Sequence, residues 1–173
     1  MLALLVLIPL TAGFEYWVEG RQGPGNPLLD QPVVVESGKE QTYAGATWKL
    51  ELAEPGPTRQ DVRLPSDLTL VYVVLSVTPK DAKASKRIAS CRFQGTDGDG
   101  RVWSSSITLI PMDQFDNPMT GCVSPEGEFG TAPIRPGTTQ RVLTAFLVPK
   151  DEVKTLRVRV LLGPNRRPLD LMT

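Results

Sequence analysis

Thr47-Trp48-Lys49-Leu50-Glu51-Leu52 alternates apolar and polar side chains without a break. A strand points successive residues to opposite faces, so Trp48, Leu50 and Leu52 share one face and Thr47, Lys49 and Glu51 the other. The same period of two returns at 155–160, where Leu156, Val158 and Val160 turn inward. Residues 87–93 (RIASCRF), 102–110 (VWSSSITLI) and 140–148 (QRVLTAFLV) read as further strands. In the second of these, Trp103, Ser105, Ile107 and Leu109 fall on one side. No helical pattern longer than two turns competes, although Asp151-Glu152-Val153 can close one short turn.

Residues 68–77 (LTLVYVVLSV) break the alternation, because both faces are apolar. Such a strand sits centrally with a loop over its second face, or it docks one face on a partner. Residues 36–46 and 121–136 are candidate covers. In the docking case Val71, Val73 and Leu75 form the partner-binding strip.

Sixteen prolines and fifteen glycines spread along the chain indicate many short elements joined by turns. Seven or eight strands, with one buried Trp in an early strand, predict an all-β, immunoglobulin-like β-sandwich over residues 32–173.

Outward from this body, the N-terminus reads MLALLVLIPLTAGF, with no charged side chain before Glu15. Residues 1–18 are expected to form one hydrophobic transmembrane helix, with Tyr16 and Trp17 in the interfacial aromatic belt. The alternative is a signal segment cleaved near Thr11-Ala12-Gly13. Residues 19–31 (EGRQGPGNPLLDQ) form a linker rich in Gly and Pro. Both readings put residues 32–173 outside the cytoplasm, on the cell membrane or secreted. Membrane lipid is then one partner, and a protein of the envelope the other.

Nineteen basic residues balance nineteen acidic ones, so the chain lacks the basic footprint of a nucleic-acid binder. The densest cluster, Lys80–Arg87, reads as a solvated loop rather than a lipid- or nucleic-acid-binding patch. Histidine is absent, which removes Ser-His-Asp and Cys-His catalysis and His-ligated zinc or haem. Cys91 and Cys122 form no C-x-x-C motif, and in an oxidising compartment they are expected to pair as a disulfide.

Asp97-Gly98-Asp99-Gly100 resembles the start of a calcium loop, but Arg101, Val102 and Thr108 occupy the later ligand positions. A hairpin turn is the expected reading. Asp113, Asp116 and Asn117, before Pro118, read as an Asx-type turn rather than as acid/base carboxylates or metal ligands. No catalytic residue, metal or cofactor is therefore expected.

From Trp48 onward, the order of features resembles a bacterial family of immunoglobulin-like extracytoplasmic domains of unknown function, found behind a lipid or transmembrane anchor. The resemblance is carried by Trp48, the 68–77 strand, and Cys91-Arg92-Phe93-Gln94 leading to Asp99-Gly100-Arg101-Val102-Trp103. Arg135-Pro136-Gly137 and Ala145-Phe146-Leu147-Val148-Pro149 complete it. It implies a β-sandwich, an envelope location and a protein partner, and it supplies no catalytic residues. No lipobox is present, so anchoring rests on residues 1–18. The expected role is a non-enzymatic interaction or accessory module, such as a small subunit of a membrane protein assembly. The alternative is an extracytoplasmic ligand-binding or sensor domain.

Overall fold

The alternation at 47–52 lies within a long antiparallel ribbon. In the computed structural model, which describes residues 31–115, 119–126, 130–163 and 166–173, strand β3 (Ala46–Gly56) pairs along its length with β4 (Leu68–Pro79). The expected membrane segment and all but the last residue of the linker lie outside the described residues. Strands β2 (Glu40–Tyr43) and β9 (Gln140–Pro149) flank the ribbon, giving a four-stranded sheet in the order β2-β3-β4-β9.

A second sheet has the order β1-β11-β10-β5-β6. Its strands are β1 (Val33–Val35), β5 (Arg92–Thr96), β6 (Val102–Ser104), β10 (Arg157–Leu161) and β11 (Leu169–Met172). Strand β1 runs parallel to β11, and the other neighbours are antiparallel. A separate hairpin joins β7 (Val123–Glu126) to β8 (Gly130–Pro133). The described residues thus hold eleven strands, against the seven or eight expected. The surplus comes from pieces such as β1, β2 and the β7–β8 hairpin, too short to display a period of two.

The two large sheets face one core. Trp48 and Leu50 of β3, the alternate valines of β4 and Phe146 of β9 meet Phe93, Val158, Val160, Leu169 and Leu171 from the opposite sheet. Two antiparallel-rich layers sharing one apolar core make a β-sandwich. Trp48 is fully buried, as its alternation predicts, and its Nε1 donates to the Tyr43 carbonyl at 3.1 Å.

Three local expectations need correction. A β-bulge between Leu50 and Leu52 sets Leu50 opposite Leu75 but Leu52 opposite Val74. One extra residue reverses the facing of all that follow. Leu52 therefore turns outward, 38% exposed, instead of joining Trp48.

Residues 87–93 do not form one strand, and Lys80–Arg87 is not a loop. Asp81 caps helix α1 (Ala82–Ile88), its carboxylate accepting the Ala84 amide at 2.7 Å. Ala84 and Ile88, four residues apart, bury together, and the strand starts only at Arg92. The Asp81 cap was the available signal.

Residues 102–110 also divide. Strand β6 ends at Ser104, Ser105 then bridges to Phe146 of the other sheet, and Ile107–Leu109 closes a 3-10 turn. The Ser106 amide donates to the Ala145 carbonyl at 2.7 Å, carrying the chain across the edge of the sandwich.

Candidate functional site

Strand β4 organises the outer face of the four-stranded sheet. Val71, Val73 and Leu75 point into the main core and have no accessible surface. They meet the opposite sheet, so they have no surface to offer a partner of the folded protein, and the expected partner-binding strip is corrected to core. The strand's other face carries Leu70, Tyr72 and Val74, which gather a second apolar cluster with Ile110, Leu143, Ala145 and Phe115. The cover on this face comes from residues 57–64 and 107–115, while Ala46, Cys122 and Ile134, from the two stretches expected as covers, join the main core with Val71, Val73 and Leu75. Tyr72 donates its hydroxyl to the Pro57 carbonyl and meets Phe115 edge-on, with ring centroids 5.6 Å apart. Gly56 permits this arrangement, since a Cβ there would stand 2.4 Å from the Tyr72 ring.

These two covering segments wall a groove. The Arg59 amide donates to the Leu109 carbonyl at 3.0 Å and holds the walls together. The groove has a volume of about 600 Å³, with Ile107, Ile110 and Pro111 as its apolar lining. Arg59 and Asp61 pair at its rim through contacts of 3.1 and 2.8 Å, and Met112 is 37% exposed beside Asp113. Asp113 is an exposed member of the 3-10 turn Met112–Gln114. Asp116 and Asn117 lie outside the described residues, so their expected Asx turn does too. Sequence reading missed this groove because each wall is a turn-rich piece whose neighbour is fixed only by packing. The apolar outer face of 68–77 was the one signal that something had to cover it.

Cys91 and Cys122 form a disulfide, with Cα atoms 5.9 Å apart. It ties the start of β5 to the stretch before β7. Cys122 is buried with the main core, and Cys91 packs partly buried against it. Closing a 31-residue separation stabilises the fold by about 3–4 kcal/mol through the unfolded chain's entropy.

The Asp97–Gly100 stretch is the β5–β6 hairpin turn that its sequence predicts. One Asp97 carboxylate oxygen accepts the amides of Asp99 and Arg101 at 2.9 and 2.8 Å, and the Arg101 guanidinium binds the other. Gly100 supplies the positive φ, 86°. Arg101 also pairs with Glu152 and lies 5.9 Å from the Trp103 ring. Burial pushes the Asp97 carboxyl up. The Arg101 amide and guanidinium and the Asp99 amide outweigh that effect and hold it below the ordinary carboxylate value. The carboxylate's acceptor positions are taken by the protein's own donors. Among the described residues no group of three acidic, Cys or His side chains is placed to hold a metal ion.

No protein-family model matches the chain, and no curated protein matches it. Solved structures of similar outline include the yjhA protein from Bacillus subtilis, 6% identical, covering 79% of this chain and 97% of its own, with a TM-score of 0.47. A secreted protein from Mycobacterium tuberculosis is 14% identical over 82% and 95% of the two chains, TM-score 0.42. An uncharacterised β-sandwich protein from Clostridium difficile is 13% identical over 82% and 94%, TM-score 0.39. Nothing about activity passes from them to this chain.

Proposed function

We propose that this chain is a non-enzymatic envelope protein. Its N-terminal segment holds it on the cell membrane, and its immunoglobulin-like sandwich acts outside the cytoplasm as an interaction or accessory module. The observation that carries the reading is the Cys91–Cys122 disulfide within the core. Such crosslinks persist in oxidising compartments, which fits an apolar N-terminal segment that directs the body out of the cytoplasm. The immunoglobulin-like assignment draws support from a parallel β1–β11 edge and from buried Trp48. One departure is that the disulfide joins a strand start to a loop rather than linking the two sheets.

The test is gentle detergent extraction of crosslinked membranes from the native host. The full chain is expected to co-purify with one or a few membrane proteins in fixed proportion. Recovery as a free, uncrosslinked monomer would count against the accessory role.

A second reading, an extracytoplasmic ligand-binding domain, is favoured by the groove between Thr58–Asp61 and Ile107–Asp113. Its apolar lining and polar rim are the combination that small-molecule sites use.

A further inference from the structure

The two poles of the sandwich differ in charge, and the difference follows the path of the chain. The described chain begins at Gln31, whose carbonyl accepts from Arg167 Nε at 2.7 Å. Next to it, the Val33 amide donates to the Pro168 carbonyl at 2.8 Å. The described residues therefore start at the pole that carries Arg166 and Arg167, both exposed.

Contacts extend this pole without a gap. Tyr43 donates its hydroxyl to the Arg167 carbonyl. The turn after Tyr43 presents the Ala44 carbonyl to Arg87 Nη1 at 2.8 Å and the Gly45 carbonyl to the Lys80 amide at 3.0 Å. Helix α1 buries Ala84, Ser85 and Ile88, which leaves Lys83 and Lys86 on its exposed side. The Gly137 amide donates to the Pro79 carbonyl at 2.8 Å and brings exposed Arg135 to the same end. Arg92, exposed at the start of β5, follows the crosslinked Cys91. Among the described residues the facing acids are few: Asp81 holds the amide of Ala84, and Glu126 lies on the β7–β8 hairpin. Since the whole chain is neutral, this excess is balanced elsewhere. The opposite pole mixes Asp97, Asp99, Asp151 and Glu152 with Arg101, Lys150 and Lys154.

We propose that this cationic pole docks on anionic phospholipid headgroups of the membrane that holds the N-terminal segment. The proposal rests on the reading of residues 1–18 as a membrane anchor. The loop expected of Lys80–Arg87 alone made a poor lipid site; the fold adds Arg135, Arg166 and Arg167 beside it. Tethering supplies the rest. Residues 19–31 reach roughly 40 Å when fully extended, so the pole stays near the bilayer at high effective concentration. Each basic residue at an anionic surface adds about fivefold to the docking equilibrium, an effect that fades within a Debye length and weakens in salt. The domain then lies flat-ended on the membrane, with the groove and the Asp97 hairpin directed away from the tethered end.

The test reconstitutes the full chain into vesicles of phosphatidylcholine alone or of phosphatidylcholine with one-third phosphatidylglycerol. An amine-reactive reagent then labels exposed lysines, read by mass spectrometry. Lys80, Lys83 and Lys86 are expected to be protected severalfold on the anionic vesicles, with Lys150 and Lys154 at the far pole labelled equally on both. Protection should vanish in high salt and, for Lys80, in a K83E/K86E variant whose melting temperature matches the parent. Equal labelling of the pole lysines on both vesicles would overturn the docking. Failure of the chain to associate with neutral vesicles would instead mark the anchor reading as wrong. Equal protection by soluble heparin on neutral vesicles would overturn the lipid assignment in favour of a polyanionic polymer.

Discussion

Arg159 grips Asp170 through both arms of its guanidinium, with Nε and Nη2 donating to the two carboxylate oxygens at 2.7 and 2.8 Å. The residues lie opposite each other on β10 and β11, on the outer face of the five-stranded sheet. Asp170 is 1% exposed and the Arg159 side chain 23%. Removing one partner of a buried pair leaves the other charge without compensation. Asp170→Ala is expected to cost about 2–4 kcal/mol, less than a fully enclosed pair because Arg159 can still reach water. Denaturant titration measures it, and a loss below about 0.5 kcal/mol, the range of an ordinary surface change, contradicts this account.

Trp48 is the largest fully buried side chain of the core and holds the Tyr43 carbonyl through its indole N–H. Trp48→Ala is expected to cost about 3–5 kcal/mol. Trp48→Phe should recover most of the packing but leave that carbonyl without its donor. Thermal melts of the three proteins should rank parent, Phe, then Ala. Equal melting of parent and Ala variant would show that the packing around Trp48 is misread.

The faces of β3 and β4 separate core from surface by one residue. Val73 has no accessible surface, so Val73→Lys buries an unpaired ammonium and is expected to unfold the domain. Leu52→Lys, beyond the bulge and 38% exposed, should cost less than about 1 kcal/mol. Circular dichroism distinguishes the two. A folded V73K domain would reopen the partner-binding reading of that face.

These contrasts also mark what the sequence reveals. Trp48 and the 155–160 alternation are legible because a period of two over six residues can hardly arise in another structure. Leu52 departs from the alternation because of a bulge that leaves no local signature in TWKLEL. Residues 87–93 resemble one strand for a different reason: Ile88 and Phe93 are both apolar and both buried, one on a helix and one on a strand. The turn at Asp97–Gly100 was legible from its glycines and acids. The groove beside Arg59 and the cationic pole were not, since each joins segments distant in the chain that meet only through packing.

Asp97 gives the hairpin a pH dependence. Its folded carboxyl is held below the ordinary carboxylate value, so the folded state binds this proton less readily than the unfolded chain. The contribution is fully present above the unfolded value of about 3.9 and is lost as pH falls through the lower folded value. The stability difference between the parent and Asp97→Asn should therefore be constant from neutral pH down to about 5 and shrink below about 4. A difference that grows on acidification would mean that the carboxyl is held above its ordinary value.

On the proposed function, residues 32–173 stand outside the cytoplasm on a membrane-held chain. Protease treatment of osmotically stabilised host cells, stripped of their outer layers, distinguishes this placement from a cytoplasmic one. The domain is expected to be digested while the membrane is intact and a cytoplasmic marker is spared. A domain that survives until the membrane is lysed would contradict it.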